Sequence, residues 1–371
     1  LEPARFIMSF GHSHASQYLS AKVEPEWPGG ELIEPYWKKV REALCDATRR
    51  ALAEAVPATL TWHTGRCNLA TNRDLVDTQS GRDRLVCGFN PEVQADDTVV
   101  VGRVTDASDR IIGTIVNYAC HPTTLAWENR VVSPDYIGAM RETIEKETDG
   151  APSMFLQGAS GELAPRYQYV GDPEVADTNG RHLGYAALAA LADMEPPRTE
   201  LVFDRVVESG APLAVWKRQA TTCSNTLRAD TTTVDLPLKD WPPAAVLDKE
   251  YRTTKDRALQ ERLRRKRDVR LVIGDGATYP LPIWVWQVGD AILAGCLVEA
   301  YSQLQIDLRR RFPENPVLFV GLVNGCIGYT PPAELYDREV YQVWQTPFDR
   351  GCLETLTEAF ADAIASLTAQ K

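Results

Sequence analysis

The chain has 371 residues, 44% of them hydrophobic and 25% charged, an ordinary globular composition that excludes wholesale disorder. Its formal net charge of −11 argues against nonspecific binding to nucleic acid or to an anionic bilayer, and no apolar run approaches the roughly 20 residues that a membrane span requires. The eight cysteines are scattered without a CxxC pair, which favours a reduced, cytoplasmic type of compartment over a disulfide framework.

The opening residues 1–10 lack an initiator Met and read as the lead into a strand, which points to residues upstream of Leu1. A strand over 5–10 would deliver Gly11-His12-Ser13-His14 at its end, with both imidazoles on one face at a spacing of two. After a loop with Pro28-Gly29-Gly30, apolar residues Tyr36, Val40, Leu44, Ala47 and Ala51 recur at helical spacing and predict a long amphipathic helix over 31–56. Strands are predicted over 58–67, 98–104 and 111–119, the last running into Cys120-His121-Pro122. Ser133-Pro134-Asp135 is a helix start with a hydroxyl N-cap, proline at the first helical position and an acid in the first turn, and this helix should reach about Glu147. A short strand over 153–156 enters Gln157-Gly158-Ala159-Ser160-Gly161-Glu162-Leu163-Ala164-Pro165, and a helix follows over 180–192.

Residues 240–270 read as helical and basic, with nine Lys or Arg against three Asp or Glu between 252 and 270. The expectation is a solvated surface helix, with an anionic partner as the alternative. Strands over 279–288 and 291–297, a helix over 299–311, a strand over 316–322 and an amphipathic helix over 353–368 complete the chain. No repeat is legible. The alternation predicts one α/β domain across 1–371, a layered structure with a mixed sheet flanked by helices.

The motif region is GLVNGCIGYTPPAELYDREVY at 321–341, with Tyr329 and Tyr341 twelve apart around a Thr-Pro-Pro turn. His12 and His121 offer neutral imidazoles suited to zinc, and the Glu299 carboxylate and Tyr329 phenol complete a candidate ligand set. Three protein ligands and a water are the commoner catalytic pattern, so the tyrosine is an unusual fourth.

These residues resemble the catalytic domain of the neutral/alkaline ceramidases, zinc amidases that hydrolyse the amide of N-acylsphingosine. His12-Ser13-His14-Ala15 with Pro28-Gly29-Gly30 is similar to that family's HxHSGPGG-like stretch, and Asn72-Arg73 to its Asn-Arg element. Asn117 to Thr123 resembles N-W-x-x-x-H-x-T, and Ser133, Asp135 and Gly138 match the Ser-x-Asp-x-x-Gly that follows. Leu297-Val298-Glu299 keeps the acid of the family's P-G-E, while Asn324, Tyr329 and Tyr341 match its tyrosine element with Cys326 in place of the first aromatic. The resemblance runs from residue 9 to about 345. It implies a ceramidase-like fold, Zn²⁺ held by His12, His121, Glu299 and Tyr329, and a reacting centre lined by His14, Arg73 and Tyr341. Arg73 and Tyr341 would then hold an oxyanion and His14 would pass a proton to the departing amine.

The chain departs from the family in three places. The G-D-x-S-P-N motif appears as Gly161-Glu162-Leu163-Ala164-Pro165-Arg166, so no serine stands at position 164 to form an acyl-enzyme, and Ser160 reads as a turn residue. There is no room for the family's C-terminal immunoglobulin-like domain, and its first strand and helix have no counterpart. The function expected is zinc-dependent hydrolysis of an N-acyl amide, ceramide-like or more soluble, by metal-activated water. The alternatives are an esterase or lactonase with the same site, and a catalytically impaired metal-binding homologue.

Overall fold

The computed structural model describes residues 6–16 and 29–369. Its framework is a pair of four-stranded mixed sheets. In the first, Thr59–Arg66, Thr98–Thr105, Ile111–Tyr118 and Ser153–Gln157 lie in that order, joined by two antiparallel pairings and then a parallel one. In the second, Leu227–Pro237, Thr278–Val288, Ala291–Cys296 and Val317–Val320 repeat the same succession. A parallel neighbour demands a crossover, and helices Tyr136–Glu147 and Gln303–Arg311 supply it in the two halves. The mixed sheet flanked by helices therefore occurs twice, a repetition of pairing with no counterpart in the residues. Strands need only apolar alternation, and many unrelated sequences provide it.

That alternation sorts the core. Val99, Val101 and Val116 point from the first sheet into a cluster with Tyr136, Met140 and Leu183 of its covering helices. Their neighbours Val100, Ile115 and Leu156 point the other way, into a core shared with Ile283, Ala294 and Phe319 of the second sheet and Leu356 and Phe360 of the closing helix Cys352–Ala369. Phe319 and Phe360 meet edge to face at 5.7 Å. Each such side chain contributes about 1.5–3 kcal/mol by leaving water. The buried Asn117 amide ties the halves together by donating to the carbonyls of Leu156 (3.0 Å) and Phe319 (2.8 Å).

Several local expectations change. Residues 6–10 form no strand, only an isolated bridge between Ser9 and Val323; residues 1–5 and Pro28 lie outside the described residues. The second helix is capped by Asp135, whose carboxylate accepts from Tyr136 N, while Ser133 Oγ accepts from Asp135 N one step earlier. The helix expected at 180–192 begins at Pro173 behind an Asp172 cap. The basic region divides into Ala244–Thr253 and Arg257–Ile273, and Glu299 lies in a two-residue strand before the next helix starts at Gln303. The long helix Ile33–Ala53 forms, yet Tyr36, Leu44 and Leu52 stay exposed. The hairpin Thr199–Glu208 and Pro212–Ala220 was illegible, being largely exposed on both faces and so without period-two contrast.

Helices Tyr136–Glu147 and Pro173–Ala192 approach so closely that a Cβ on Gly180 would stand 2.2 Å from the Tyr136 carbonyl oxygen. Alanine is the better helix former by up to about 1 kcal/mol, but backbone cannot yield as a flexible side chain does. Gly180→Ala should cost about 1–3 kcal/mol of stability in urea denaturation, whereas Gly276→Ala, with nothing nearer than 3.4 Å, should stay within about 0.5 kcal/mol.

Candidate metal centre

His121 follows the third strand of the first sheet and is fully buried. Its Nδ1 lies 2.6 Å from the Ser160 carbonyl oxygen and 3.2 Å from that of Leu163. Carbonyls accept only, so the proton belongs on Nδ1 and the Nε2 lone pair faces inward. Glu299 follows the third strand of the second sheet and pairs in parallel register with Tyr329. Its Oε2 stands 2.9 Å from His121 Nε2 and 3.1 Å from His12 Nε2.

His12 reaches this point because the chain before it is clipped to the tyrosine region. Met8 N donates to Asn324 Oδ1 at 2.9 Å and Asn324 N to the Met8 carbonyl at 2.8 Å. On the far side His14 N donates to the Pro122 carbonyl and Ser13 Oγ to that of Ser133. Between these clips His12 adopts φ 65°, a left-handed turn that replaces the expected extended face. The imidazoles still converge: the rings of His12 and His14 are 5.0 Å apart, those of His12 and His121 4.8 Å, and one ligand nitrogen from each of the three histidines falls within 4.8 Å of the others.

Arg73 lies buried beside them. Its Nε and Nη2 donate to the Gly161 carbonyl at 3.2 and 2.6 Å, and Nη2 also lies 3.3 Å from the Tyr329 hydroxyl and 3.4 Å from His121 Nε2. Tyr329 Oη is itself 3.4 Å from His121 Nε2. His12, His14, His121, Glu299, Tyr329 and Arg73 thus form one group. Tyr341 stands one ring further out, 5.7 Å from Tyr329 centre to centre, and its hydroxyl accepts from Arg265 Nη1 at 2.9 Å. Arg265 belongs to the basic helix, which differs from the solvated surface expected: Arg264, Arg267 and Arg270 are buried, the first two in ion pairs with Glu261, Asp248 and Asp268.

The electrostatics favour a cation. Burial, with Arg73 beside it, pushes His121 down to about 4, and burial followed by the neighbouring His12 and His121 holds His14 well below the usual histidine range. Burial alone would raise Glu299, but the adjoining imidazoles, His12 first, hold it well below the usual carboxylate range. Burial, then Glu299, raises the Tyr329 phenol well above its ordinary value. With the proton on Nδ1, the His121 Nε2 lone pair faces the Glu299 carboxylate oxygen at 2.9 Å. His12, His14 and His121 could hold a metal ion, with Glu299 beside two of them.

Residue patterns left other contributors unread. The Ser160 contribution is its carbonyl, since its Oγ is buried and accepts from Gln157 Nε2; Ala164 is buried in a short strand opposite Thr71. Cys326 is exposed, with its thiol 3.4 Å from Glu299 Oε1. Glu162 is buried and accepts from Ser302 N and, at short range, from Ser302 Oγ. Only the charge of Glu162 inside an otherwise apolar stretch signalled a buried role.

No protein-family model matches the sequence, and no curated protein matches it. Solved structures do match. A ceramidase complexed with C2 aligns at TM-score 0.60 and 15% identity over 86% of this chain and 55% of its own. The neutral ceramidase from Pseudomonas aeruginosa aligns at TM-score 0.59 and 16% identity over 86% and 54%. The fold is ceramidase-like, and the chain spans about half the length of the structures it matches.

Burial pushes Glu162 up to about 7 from an ordinary 4.5, against the Ser302 hydrogen bonds. An acid whose folded pKa is raised binds its proton more tightly in the folded state. Its stabilisation is complete below pH 4.5 and is lost as the pH rises through 7. Wild type should lose about 3 kcal/mol relative to Glu162→Gln between pH 4 and 8. Parallel stability profiles from denaturant titrations would refute this.

Proposed function

We propose that the chain is a Zn²⁺-dependent hydrolase of N-acyl amides, a divergent relative of the ceramidases. The observation that carries the reading is the convergence of His121 Nε2 and His12 Nε2 on one oxygen of Glu299 at 2.9 and 3.1 Å. His12, His121, Glu299 and Tyr329 would hold the ion, with His14 near enough to share in the site. Zn²⁺, when bound, supplies Lewis acidity, lowering the pKa of water to roughly 7 and polarising a carbonyl. The likeness in fold to ceramidases supports an amide over an ester.

The chain's own groups supply the rest. Arg73 is oriented by the Gly161 carbonyl, so its Nη2 faces the cluster as a fixed donor for the negative charge that develops on a carbonyl oxygen. Tyr341, whose ring lies 5.7 Å from that of Tyr329, would assist the same oxygen from the outer rim. An amine departs only when protonated, and His14, one ligand nitrogen of which lies within 4.8 Å of those of His12 and His121, would carry that proton on a ring nitrogen. No serine route competes: position 164 is alanine, and the Ser160 hydroxyl is buried in a hydrogen bond.

Exhaustive dialysis against a chelator should abolish hydrolysis of N-acyl amides, and one equivalent of Zn²⁺ per chain should restore it. Glu299→Gln and Tyr329→Phe should lower zinc content by elemental analysis. Arg73→Met and Tyr341→Phe should keep the metal and lose on the order of 10²–10³ in turnover. Activity that survives chelation, or a covalent acyl adduct on Ser160, would overturn the proposal.

A further inference from the structure

The basic helix Arg257–Ile273 is bound to the candidate centre through aromatic rings. Tyr329 stacks on His121 with ring centres 6.2 Å apart, Tyr341 meets Tyr329 edge-on, and Trp344 stacks on Tyr341 at 6.0 Å. Arg265 holds the Tyr341 hydroxyl. The guanidinium of Arg262 lies 4.4 Å from the centre of the Trp344 ring, and the Lys266 ammonium lies 5.7 Å from that ring and 4.8 Å from Trp241. Three cations thus gather at the outer rim of the centre.

Their charge is only partly matched locally. Glu261 is shared between Arg264 and Arg265, and Asp268 between Arg264 and Arg267. Arg262 and Lys266 form no ion pair with a carboxylate among the described residues; aromatic faces hold them instead. Burial, and next the charge of Arg262, lowers the Lys266 pKa, with Glu250 acting the other way. Against a chain of net charge −11, this rim is a local concentration of positive charge.

We propose that Arg262, Arg265 and Lys266, with Tyr341 and Trp344, form a subsite for a carboxylate, and that the amide cleaved belongs to an N-acyl amino acid. The inference rests on the hydrolase reading for the position of the scissile carbonyl. Arg265 touches the hydroxyl assigned to that carbonyl's oxygen, so the anion it binds must lie only a few bonds from the reacting carbon. A carboxylate on the α-carbon of the departing amine meets that requirement. Hydrolysis adds water across the C–N bond: hydroxide joins the acyl carbon, the C–N electron pair leaves with nitrogen, and a proton completes the amine. The products are a fatty acid and an amino acid, with no oxidant or further reactant.

The test uses the full zinc-loaded chain and the uncleavable ketomethylene isosteres of N-dodecanoylglycine and N-dodecanoylglycinamide, which match in length and differ in charge. Titration calorimetry should show the carboxylate binding at least tenfold more tightly, with the advantage shrinking as salt rises. In the variant combining Arg262→Gln, Arg265→Gln and Lys266→Gln, the ratio of affinities should fall towards one, and Arg265→Lys should retain part of it. Equal affinities in wild type, or a ratio unchanged in the triple variant, would overturn the subsite. The parent amides separate the two readings. If neither is hydrolysed while the carboxylate preference persists, the hydrolase reading fails and the subsite stands; if both are hydrolysed with equal kcat/KM, the subsite fails and the hydrolase stands.

Discussion

The hydrogen bond from His121 Nδ1 to the Ser160 carbonyl is the constraint on which the centre turns. It fixes the tautomer of an imidazole with no solvent access, and so aims a lone pair at the Glu299 carboxylate. Without that bond the ring could place its proton on Nε2, and the pair would close as an ordinary hydrogen bond with no need of a cation. The two sheets make the arrangement reproducible. His121 and Glu299 each stand three residues beyond the end of the third strand in their own half, and Ser160 stands three beyond the fourth strand of the first.

A second layer of polar groups supports this one. The carbonyl of Gly161 receives Arg73 and also Gln342 Nε2 at 3.1 Å, and Gln342 in turn reaches Asp74 at 2.9 Å. Asp74 accepts from the Tyr301 hydroxyl at 2.8 Å, and burial raises its pKa. The residue after Tyr341 is therefore coupled to the carbonyl that orients Arg73. Both contacts are donations from Gln342 Nε2, while its Oε1 is buried without a hydrogen-bond partner among the described residues, so the network ties the tyrosine helix to the arginine without being fully satisfied.

The α/β class was legible from the alternation of elements, and His12, His121, Glu299 and Tyr329 stood out as candidate donors through the motifs that resemble the ceramidases. Valine-rich runs such as 98–104 and 111–119 identified strands within a residue or two, since alternation and turn residues bounded them. The doubling of the sheet was not legible, because pairing order is a property of partners far apart in the chain. The exposed hairpin over 199–220 lacked a buried face to mark it. The basic helix misled for a related reason. Charge density reads as solvation, and only the fold shows Arg264 and Arg267 buried in ion pairs and Arg265 on the hydroxyl of Tyr341.

The site is also uneven in how firmly it is built. His121, Arg73 and Tyr329 are buried in the sheet framework and share its stability. His12 and His14 are carried by a short segment with no helix or strand of its own, held by the Met8–Asn324 pair on one side and the Pro122 and Ser133 carbonyls on the other. Each such bond contributes about 0.5–1.5 kcal/mol, while ordering each residue costs about 1–2 kcal/mol of backbone entropy. These hydrogen bonds by themselves therefore do not offset the cost of ordering the segment. Asn324 matters beyond its distance from the cluster, because its left-handed φ of 59° presents both its backbone NH and its side chain to Met8. A cation shared by His12 and His121 would tip that balance, since its binding energy would order the segment as well as fill the site. On this account the framework half of the centre is formed by folding, and the N-terminal half would be completed by a bound cation.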